Sequence, residues 1–403
     1  MSQHFDVICV GGGAAGFFTA INIAEKNPKL KVAILERGKE VLTKVRISGG
    51  GRCNVTHACF DPNELVKFYP RGEKELKGPF NQFCSGDTIE WFEKHGVELK
   101  IEEDGRMFPV SNSSQTIIDC FMNAASKSGI KILTSQSVQS LFKAEDFWKI
   151  DTQHDKFTAT KLVLSTGSNP KMWEMLEGLG HSIVPAVPSL FTFNITDKRI
   201  KELPGVSALA TVKVKNTKLE ATGPLLVTHW GLSGPAILKL SAWGARILAE
   251  KKYQFAISVN WLNDMDLAEA EELLKKFRQE EAKKQIAKRA PFDFPNRLWE
   301  SIVVHSGIPA ETKWADLSKL QMNNLAEQLT EGTYQVSGKS TFKDEFVTAG
   351  GIDLKEINFK TMQSKLFDSL YFAGEVVNID AITGGFNFQN AWTSGFIVSE
   401  AIF

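Results

Sequence analysis

The 403-residue chain has no excess of either charge and no long apolar run. It contains 47 basic and 47 acidic residues, with a pI near 7.1. This balance gives no electrostatic reason to expect a nucleic-acid or anionic-membrane partner. No apolar stretch reaches about 18 residues, and the first predicted strand begins too near the amino terminus for a signal peptide. We therefore expect a soluble, cytoplasmic protein with neither kind of partner.

The chain is also poor in cysteine and lacks metal-binding patterns. Its five cysteines, Cys9, Cys53, Cys59, Cys84 and Cys120, lie in the first third and include no C-x-x-C pair. This usage favours reduced thiols over a disulfide framework or a zinc site. An H-E-x-x-H helix and a recognisable Ser/His/Asp triad are absent from the sequence as well. We predict no bound metal.

The most informative motif that is present is a dinucleotide-binding turn. An apolar strand, Phe5–Val10, runs into Gly11, Gly13 and Gly16, and a helix is predicted over residues 17–25. The first glycine permits a tight turn, the second allows the backbone to approach a pyrophosphate, and the third lets helix and strand pack closely. The free N–H groups at the start of the helix then face the phosphates.

An acidic residue follows the second predicted strand at the spacing that ribose recognition requires. Val32–Leu35 ends at Glu36, twenty residues after Gly16. A carboxylate there accepts hydrogen bonds from the ribose hydroxyls, and Arg37 comes next along the chain. Glu36 in place of a basic residue favours FAD or NAD over NADP.

Three consecutive glycines form a second informative block. They lie between Ser48 and Arg52 in the segment from Lys44 to Thr56. Such a run is entropically expensive to order, which points to close backbone approach by a phosphate or a planar ring. Arg52 is predicted either to neutralise the pyrophosphate or to hydrogen-bond a flavin carbonyl. A flexible surface loop is the simpler alternative.

Two further glycine turns follow predicted strands. Thr166-Gly167 ends one strand, and Gly374-Glu375 ends another that begins at Leu370. Near the carboxyl end, Thr383-Gly-Gly-Phe-Asn387 opens the terminal helix. A helix N-terminus facing a flavin stabilises the negative charge that develops at N1 and O2 on reduction. This feature is typical of an FAD site and not of an NAD site.

These blocks, with Thr228-His-Trp-Gly-Leu-Ser-Gly-Pro235, closely resemble the BaiN/YhiN-like flavoproteins, which include aminoacetone-oxidase-like members. The resemblance covers essentially the whole chain. It implies an α/β fold: a glutathione-reductase-type Rossmann FAD domain, an inserted β-barrel-like domain and a small helical domain. It also implies non-covalently bound FAD and oxidoreductase activity.

Taken with the motifs, the resemblance gives a set of predicted FAD-binding residues. They are Gly11, Gly13, Ala14, Ala15, Gly16, Glu36, Arg37, Lys44, Ser48, Gly50, Gly51, Arg52, Cys53, Asn54, Val138, Thr166, Gly167, Gly374, Glu375, Thr383, Gly384, Gly385, Phe386 and Asn387. Three positions depart from the expected pattern: Ser168 replaces a glycine, His57 an asparagine and Asn378 an aspartate. Because His57 and Asn378 are expected to flank the flavin, the substrate does not follow from the resemblance.

The domain organisation follows from changes in sequence texture. Residues 1–188 and 342–403 are predicted to form a discontinuous FAD-binding domain. Residues 189–262 and 333–341 have the spacing of short strands and are predicted to form the β-rich insert. Residues 263–332 have helical periodicity and many charges, and are predicted to form the helical domain.

His229 is the candidate catalytic residue. It follows an apolar strand and precedes a predicted helix, where it could act as acid or base while Trp230 walls the pocket. A packed interdomain loop is the alternative interpretation.

The sequence thus predicts an FAD-dependent oxidoreductase that acts on a small molecule. Hydride transfer is expected at flavin N5, with NADH, NADPH or oxygen as partner; a nicotinamide would bind transiently because one G-x-G-x-x-G turn is present. The alternatives are a flavin enzyme acting on tRNA and an FAD-binding redox sensor or interaction protein. The oligomeric state is not predicted.

Overall fold

The computed structural model describes residues 2–341 and 347–403. These residues form two units. The first comprises the chain up to Val187 together with Val347–Phe403, and the second begins at Pro188. The first unit is therefore discontinuous in sequence. The predicted boundary at residue 342 lies outside the described residues, and the separation of a helical domain from the β-rich insert stays a prediction.

A mixed sheet forms the centre of the first unit and has nine strands over the described residues. Its main hydrogen-bonded order is Ile357–Asn358, Gln363–Ser364, Leu370–Phe372, Lys156–Leu164, Gln3–Val10, Val32–Leu35 and Lys131–Leu133. The last five of these strands are parallel. Two antiparallel strands, Val138–Lys143 and Trp148–Thr152, extend from the first half of Lys156–Leu164.

The central parallel strands are buried on both faces, as parallel strands usually are. All four residues of Val32–Leu35 are buried, and so are the last four of Gln3–Val10. The helix Ala14–Lys26 follows the first strand and packs against the terminal helix Phe386–Ala401. The fold thus brings the first and last segments of the chain together.

The remaining elements of the first unit surround this sheet. The other helices are Thr43–Gly51, Pro62–Leu65, Lys77–Phe80, Ser85–Lys94, Ser114–Lys127 and Pro170–Gly178, with 3-10 turns at Val66–Phe68, Leu354–Glu356 and Gly374–Val376. Thr56–His57, Arg106–Pro109 and Leu99–Ile101 form a small sheet, and Ile183–Ser189 pairs with Val347–Ile352. No helix in the described part of the chain is long and apolar enough to span a bilayer.

The second unit is built on an antiparallel sheet with seven strands among its described residues. The order is Gly332–Ser337, Gln254–Asn260, Ser207–Val214, Glu220–Thr228, Gly231–Ser233, Thr192–Asn194 and Lys339–Ser340. Burial alternates along the second half of Ser207–Val214, since Ala210, Val212 and Val214 are buried between more exposed residues. Its strands lie where the β-rich insert is predicted, and the extent of that domain stays a prediction.

Helices accompany that sheet. They are Lys198–Lys201, Pro235–Trp243, Ala245–Glu250, Leu267–Glu280, Asn296–His305 and Lys319–Thr330, with 3-10 turns at Ile286–Lys288 and Trp314–Asp316. The expected capping box of Ser318 and Gln321 opens the last helix. Such a box satisfies two otherwise free N–H groups.

The sequence pattern predicts one helix from a cap at Ser233 to about residue 249 and another over residues 266–289, and both predictions were wrong in detail. A single helix from a cap at Ser233 to about residue 249 is replaced by two helices that meet at Gly244. The cap is Gly234, while Ser233 ends a strand and its hydroxyl accepts a hydrogen bond from Thr192. The helix predicted over residues 266–289 ends at Glu280, because the chain turns before Ile286–Lys288 packs against Trp299.

Candidate functional site

The first glycine turn has the geometry that the motif predicts. Gly11 has φ +114°, and a Cβ there would overlap the carbonyl of Ser165; a Cβ on Gly16 would overlap the carbonyl of Gly11. A Cβ on Gly13, by contrast, would meet no atom within 4 Å. Gly11 and Gly16 are therefore required by packing, whereas Gly13 borders open space.

The helix after this turn presents free donors to that space. Gly13 is its N-cap and makes no side-chain capping bond, and the first helical hydrogen bond runs from the Phe17 N–H to the Gly13 carbonyl. The N–H groups of Ala14, Ala15 and Gly16 precede it, so they face the N-terminal end of a 13-residue helix. Free N–H groups and the helix dipole together suit a pyrophosphate.

Glu36 is held rigidly beside the turn. Its Oε2 accepts a hydrogen bond from the Gly12 N–H at 2.8 Å, and its Oε1 accepts one from the Gly38 N–H at 2.7 Å. Each carboxylate oxygen has a second lone-pair site, so two acceptors remain for ribose hydroxyls. The backbone thus fixes the orientation of the carboxylate that is predicted to bind the ribose.

A cleft of about 150 Å³ lies along the ends of these strands. It brings together five predicted residues, namely Gly11, Glu36, Arg37, Val138 and Thr166. The sequence interpretation missed its other lining residues, which are Val10, Leu35, Gln136, Ser137, Asn169, Lys171, Met172 and Met175. The Asn-Pro helix start after Thr166-Gly167 was the available signal, because Asn169 caps the helix that supplies both methionines.

Thr166 provides a direct test of whether this cleft suits a polar ligand. Its Oγ1 is buried and has no hydrogen-bond partner among the described residues. A buried hydroxyl without a partner is destabilising unless a ligand or water satisfies it. Gly167 follows in a left-handed conformation with φ +60°. The orphaned hydroxyl, the open space at Gly13 and the two acceptors of Glu36 all fit the nucleotide part of FAD.

An ion pair joins the segment after the second strand to the segment after Leu370–Phe372. Lys44 Nζ lies 2.6 Å from Glu375 Oε2, and the charge of Glu375 raises the pKa of Lys44. Gly374, with φ +73°, packs so closely on Ala15 that a Cβ would lie 2.9 Å from the alanine Cβ. Four predicted residues from distant segments are therefore placed together.

The triple-glycine block is a left-handed turn and not part of a regular helix. The helix Thr43–Gly51 is interrupted at Ser48, where ψ is 148°, and Gly49, Gly50 and Gly51 all have positive φ. Hypothetical Cβ atoms on Gly50 and Gly51 would meet nothing within 4 Å, so this backbone faces open space. Glycine is favoured at such angles because other residues are strained there.

The side chains after these glycines have protein partners. Arg52 lies 2.6 Å from Glu102, and its guanidinium stacks 3.9 Å over the Phe108 ring. The guanidinium is therefore satisfied without the predicted contact to a pyrophosphate or a flavin carbonyl. Cys53 is fully buried, and burial raises the pKa of its thiol to about 12. Asn54 Oδ1 accepts a hydrogen bond from the Met107 N–H at 3.3 Å. The side chains of these three residues therefore contact the protein around the glycine block, and none is shown to face the open space.

The start of the terminal helix packs against the same block. Gly384 and Gly385 have φ of +134° and +93°, and a Cβ on Gly385 would crowd the backbone of Thr56. Asn387 exchanges two hydrogen bonds with the backbone of Ala381, which fixes the loop before the helix, while Thr383 is exposed. The predicted residues Thr383, Gly384, Gly385, Phe386 and Asn387 therefore form one turn beside residues 48–57.

An aromatic stack with a histidine borders this turn. The ring of Phe386 lies 4.3 Å from that of Phe68 and 4.7 Å from that of His57. The Nε2 of His57 is 3.2 Å from the carbonyl of Asp104, which assigns the proton to Nε2. Its Nδ1 is buried without a partner among the described residues, and burial lowers the pKa of the ring. Burial therefore favours the neutral imidazole, in which Nδ1 would be an unpaired acceptor.

The other departures from the expected pattern are placed as follows. Ser168 follows the Thr166-Gly167 turn, and Asn378 donates its backbone N–H to the Ile352 carbonyl. Asp380, two residues on, is fully buried and pairs with Arg71. The buried carboxylate therefore holds the segment before the glycine turn.

His229 lies in the second unit, apart in sequence from the residues just described. It is exposed, and so is Trp230, of which 56% is accessible. Thr228 shapes their turn: its hydroxyl donates to the Gly231 carbonyl and accepts from the Trp230 N–H. Within its own unit, His229 is therefore not packed, and its catalytic role stays a prediction.

Comparison with known proteins decides the family. The model described as HI0933-like protein Rossmann domain matches residues 5–401. The chain belongs to this family. The predicted resemblance, the Rossmann fold and the assignment as an FAD-dependent oxidoreductase are thereby confirmed.

Relatives of the HI0933-like chain extend over its full length. It is 28% identical over 409 residues to the ribosomal RNA dihydrouridine synthase of Escherichia coli, covering 99% of the chain and 98% of the relative. It is 26% identical over 406 residues to the 3-dehydro-bile acid delta(4,6)-reductase of Clostridium scindens, covering 97% of each. Among solved structures, the 3-ketosteroid delta1-dehydrogenase of Sterolibacterium denitrificans matches with a TM-score of 0.52 and 12% identity, covering 100% of this chain and 99% of that one. The last similarity concerns the fold alone.

Proposed function

We propose that the HI0933-like chain is an FAD-dependent reductase that saturates a carbon–carbon double bond conjugated with a carbonyl group. The observation that carries this proposal is a property shared by two full-length relatives with different substrates. Dihydrouridine is uridine whose 5,6 double bond, conjugated with the C4 carbonyl, is saturated. A delta(4,6)-reductase acting on a 3-dehydro bile acid reduces double bonds conjugated with the 3-oxo group. The two relatives share the reaction class although their substrates differ.

The first unit would hold FAD through the residues that line its cleft and glycine turns. Ala14, Ala15 and Gly16 would donate their N–H groups to the pyrophosphate. Glu36 would accept the ribose hydroxyls, and Thr166 would use its orphaned hydroxyl. When bound, FAD would supply hydride transfer at N5.

The C-terminal turn would face the isoalloxazine. The N–H groups at the start of the 16-residue helix Phe386–Ala401 give this end a partial positive charge. Lys44 adds a cation that is held in place, and whose charge is partly offset, by Glu375. Both would stabilise negative charge on a reduced ring, because fixed dipoles and charges need no reorganisation during the reaction.

The proposed reaction is balanced by one reduced nicotinamide. NADH or NADPH supplies two electrons and one hydrogen nucleus as hydride, a proton comes from solvent or a side chain, and the double bond becomes a saturated bond. We place the enzyme in the cytoplasm, where reduced nicotinamides are available. One dinucleotide turn in the sequence supports transient binding of the nicotinamide.

Two histidines are candidates for delivering the proton. His229 is the residue singled out by sequence, and His57 lies beside the glycine turn with an unpaired Nδ1. His57→Asn, His229→Gln and the control His305→Gln would separate them. Replacing the histidine that delivers the proton should lower kcat and remove a limb of the pH profile. Flavin reduction by the nicotinamide should stay unchanged.

A direct experiment tests the reaction class. Purified protein should be yellow, and NADH or NADPH should bleach it without oxygen. The reduced protein should then be reoxidised by adding deproteinised ribosomal RNA or a 3-oxo-4,6-diene steroid. Dihydrouridine in the RNA, or the saturated steroid, should be found by mass spectrometry. Hydrogen peroxide formed with an amine substrate, and no saturated product, would replace the proposal with an oxidase.

A uracil base within RNA is the substrate that the sequence relationships favour. Two of the full-length relatives, from Escherichia coli and Haemophilus influenzae, are ribosomal RNA dihydrouridine synthases, each 28% identical. The small-molecule substrate expected from sequence stays the alternative, supported by the bile acid reductase.

A further inference from the structure

We propose that one end of the antiparallel sheet in the second unit is a docking surface for the backbone and an unpaired base of ribosomal RNA. This surface, called here the basic turn surface, consists of Lys218, Lys239, Trp243, Ile247, Lys251 and Lys252. The inference rests on the proposed reduction of a uracil base in RNA, and it adds the part of the protein that holds the RNA.

Backbone contacts bring the two lysine-bearing turns to the same end of the sheet. The strands Ser207–Val214 and Glu220–Thr228 pair from Lys213 with Glu220, so the turn between them holds Lys218. The N–H of Lys215, in this turn, donates to the Ala256 carbonyl at 2.9 Å. Residues 251–253 immediately precede the strand that contains Ala256. The two turns are therefore neighbours.

A pair of short helices completes the surface. Leu219 packs on the junction of these helices, since a Cβ on Gly244 would lie 2.7 Å from the leucine Cδ1. The second helix leads directly into the turn, where the Lys252 N–H donates to the Ala249 carbonyl at 2.8 Å. Lys239 and Trp243 lie four residues apart on the first of these helices, and Ile247 lies on the second, beyond the junction at Gly244.

The basic turn surface carries one exposed acid, Glu250, beside its four lysines. Lys218, Lys239, Lys251 and Lys252 are exposed, and none has an ion pair within the described residues. One acid near the first turn, Glu220, is already 3.6 Å from Lys213. Because solution screening confines electrostatic fields to about 10 Å, a local cluster attracts phosphates even on a chain of zero net charge.

Exposed apolar side chains lie between these cations. Trp243 is 40% exposed and Ile247 is 41% exposed. An exposed indole among lysines suits RNA, because single-stranded bases stack on aromatic rings while lysines bind the adjoining phosphates. A membrane surface fits less well. The helix that carries Ile247 has six residues, whereas interfacial binding generally uses a longer amphipathic helix.

Salt-dependent binding tests the proposal. Deproteinised bacterial 23S ribosomal RNA is the probe, and full-length holoprotein is compared with K218Q/K251Q/K252Q and with W243A. The control K29Q/K127Q/K131Q removes three exposed lysines from the first unit. We expect the first variant to raise the Kd about tenfold and to reduce the slope of log K against log salt by about 2 to 3. W243A should weaken binding without changing the slope.

The remaining outcomes are decisive as well. Equal effects of the test and control triple variants, or no binding of RNA by the wild-type protein, would overturn the proposal. If the K218Q/K251Q/K252Q variant no longer bound vesicles containing phosphatidylglycerol but bound RNA as wild type does, the surface would be assigned to a membrane. Flavin reduction by NADH or NADPH is measured in parallel. If it fails while RNA binding depends on these lysines, the proposed reaction falls and the docking surface stands.

Discussion

Lys44 and Glu375 form a 2.6 Å ion pair although 331 positions separate them in sequence. The lysine precedes the triple glycine and the glutamate follows the last parallel strand. Two motifs that a sequence can show only as separate blocks are thus adjacent in the folded first unit. The pair also fixes the position of a cation beside the proposed flavin.

Breaking this pair should affect the cofactor more than the fold. Lys44 is half exposed, so we expect Glu375→Gln to lower the unfolding free energy by at most about 1 kcal/mol. The Kd for FAD should rise about tenfold or more, because the lysine is no longer oriented. Calorimetry of the apoprotein and flavin fluorescence measure the two effects. Glu400→Gln, at an ion pair with Lys26 distant in sequence from these motifs, is the control.

The glycines of the first turn give a prediction in which position decides the result. Gly11→Ala should destabilise the apoprotein by about 2 to 4 kcal/mol, since it combines an unfavourable φ with overlap on Ser165. Gly13→Ala has room in the folded chain and should leave the Tm nearly unchanged. It should nevertheless weaken FAD binding, because its methyl group enters the space proposed for the pyrophosphate. Similar Tm losses for both variants would contradict this assignment.

The sequence predicted the elements that strong local patterns specify. The first strand and helix, the Glu36 position and the terminal helix from Phe386 all occur where expected. Each combines an apolar run with a glycine or capping signal that is local in sequence. Changes in strand and helix patterning, together with the family resemblance, gave the domain organisation, which stays a prediction.

What the sequence could not show depends on contacts between distant segments. The partners of Arg52 are Glu102 and Phe108, and no spacing rule relates these positions. The break at Gly244 is similar: Leu219 packs where a Cβ would lie, and this contact exists only after the sheet has formed.

Thiol labelling should follow burial. Cys9, Cys53 and Cys120 are buried, and burial raises the pKa of each thiol to about 12. Cys59 and Cys84 are partly exposed. Iodoacetamide at pH 8 should therefore modify the last two first and the other three only after unfolding, because the thiolate is the reactive form. Mass spectrometry of timed samples measures this order, and early modification of Cys53 would contradict it.

The His95–Glu25 pair should make stability depend on pH. The ring lies 2.9 Å from the carboxylate and 2.7 Å from the Trp91 carbonyl. Burial alone would lower the pKa of His95, but these hydrogen bonds raise it above 6.5; the bond from His95 lowers the pKa of Glu25 below 4.5. The histidine contributes fully below pH 6.5, and its contribution is lost as pH rises through its folded pKa. The glutamate contributes above pH 4.5 and loses its contribution at lower pH.

The difference in unfolding free energy between wild type and His95→Gln should therefore be largest between pH 4.5 and 6.5, at about 1 kcal/mol. It should shrink by pH 9. Urea unfolding at each pH measures it, with His305→Gln as the control. A difference that grows from pH 6 to pH 9 would show that the ring is bound neutral.

Thr166 offers the sharpest separation of ligand binding from folding. Its buried hydroxyl has no partner among the described residues, so Thr166→Val removes an unsatisfied polar atom at nearly constant volume. The apoprotein should be as stable as wild type or more stable, because replacing an unpaired buried group by an apolar one relieves its desolvation penalty. FAD binding should weaken by about 0.5 to 1.5 kcal/mol, the usual net value of a hydrogen bond. Thr166→Ser keeps the hydroxyl and should bind FAD nearly as tightly as wild type. Valine and serine variants with equal FAD affinity would mean that the hydroxyl does not contact the cofactor.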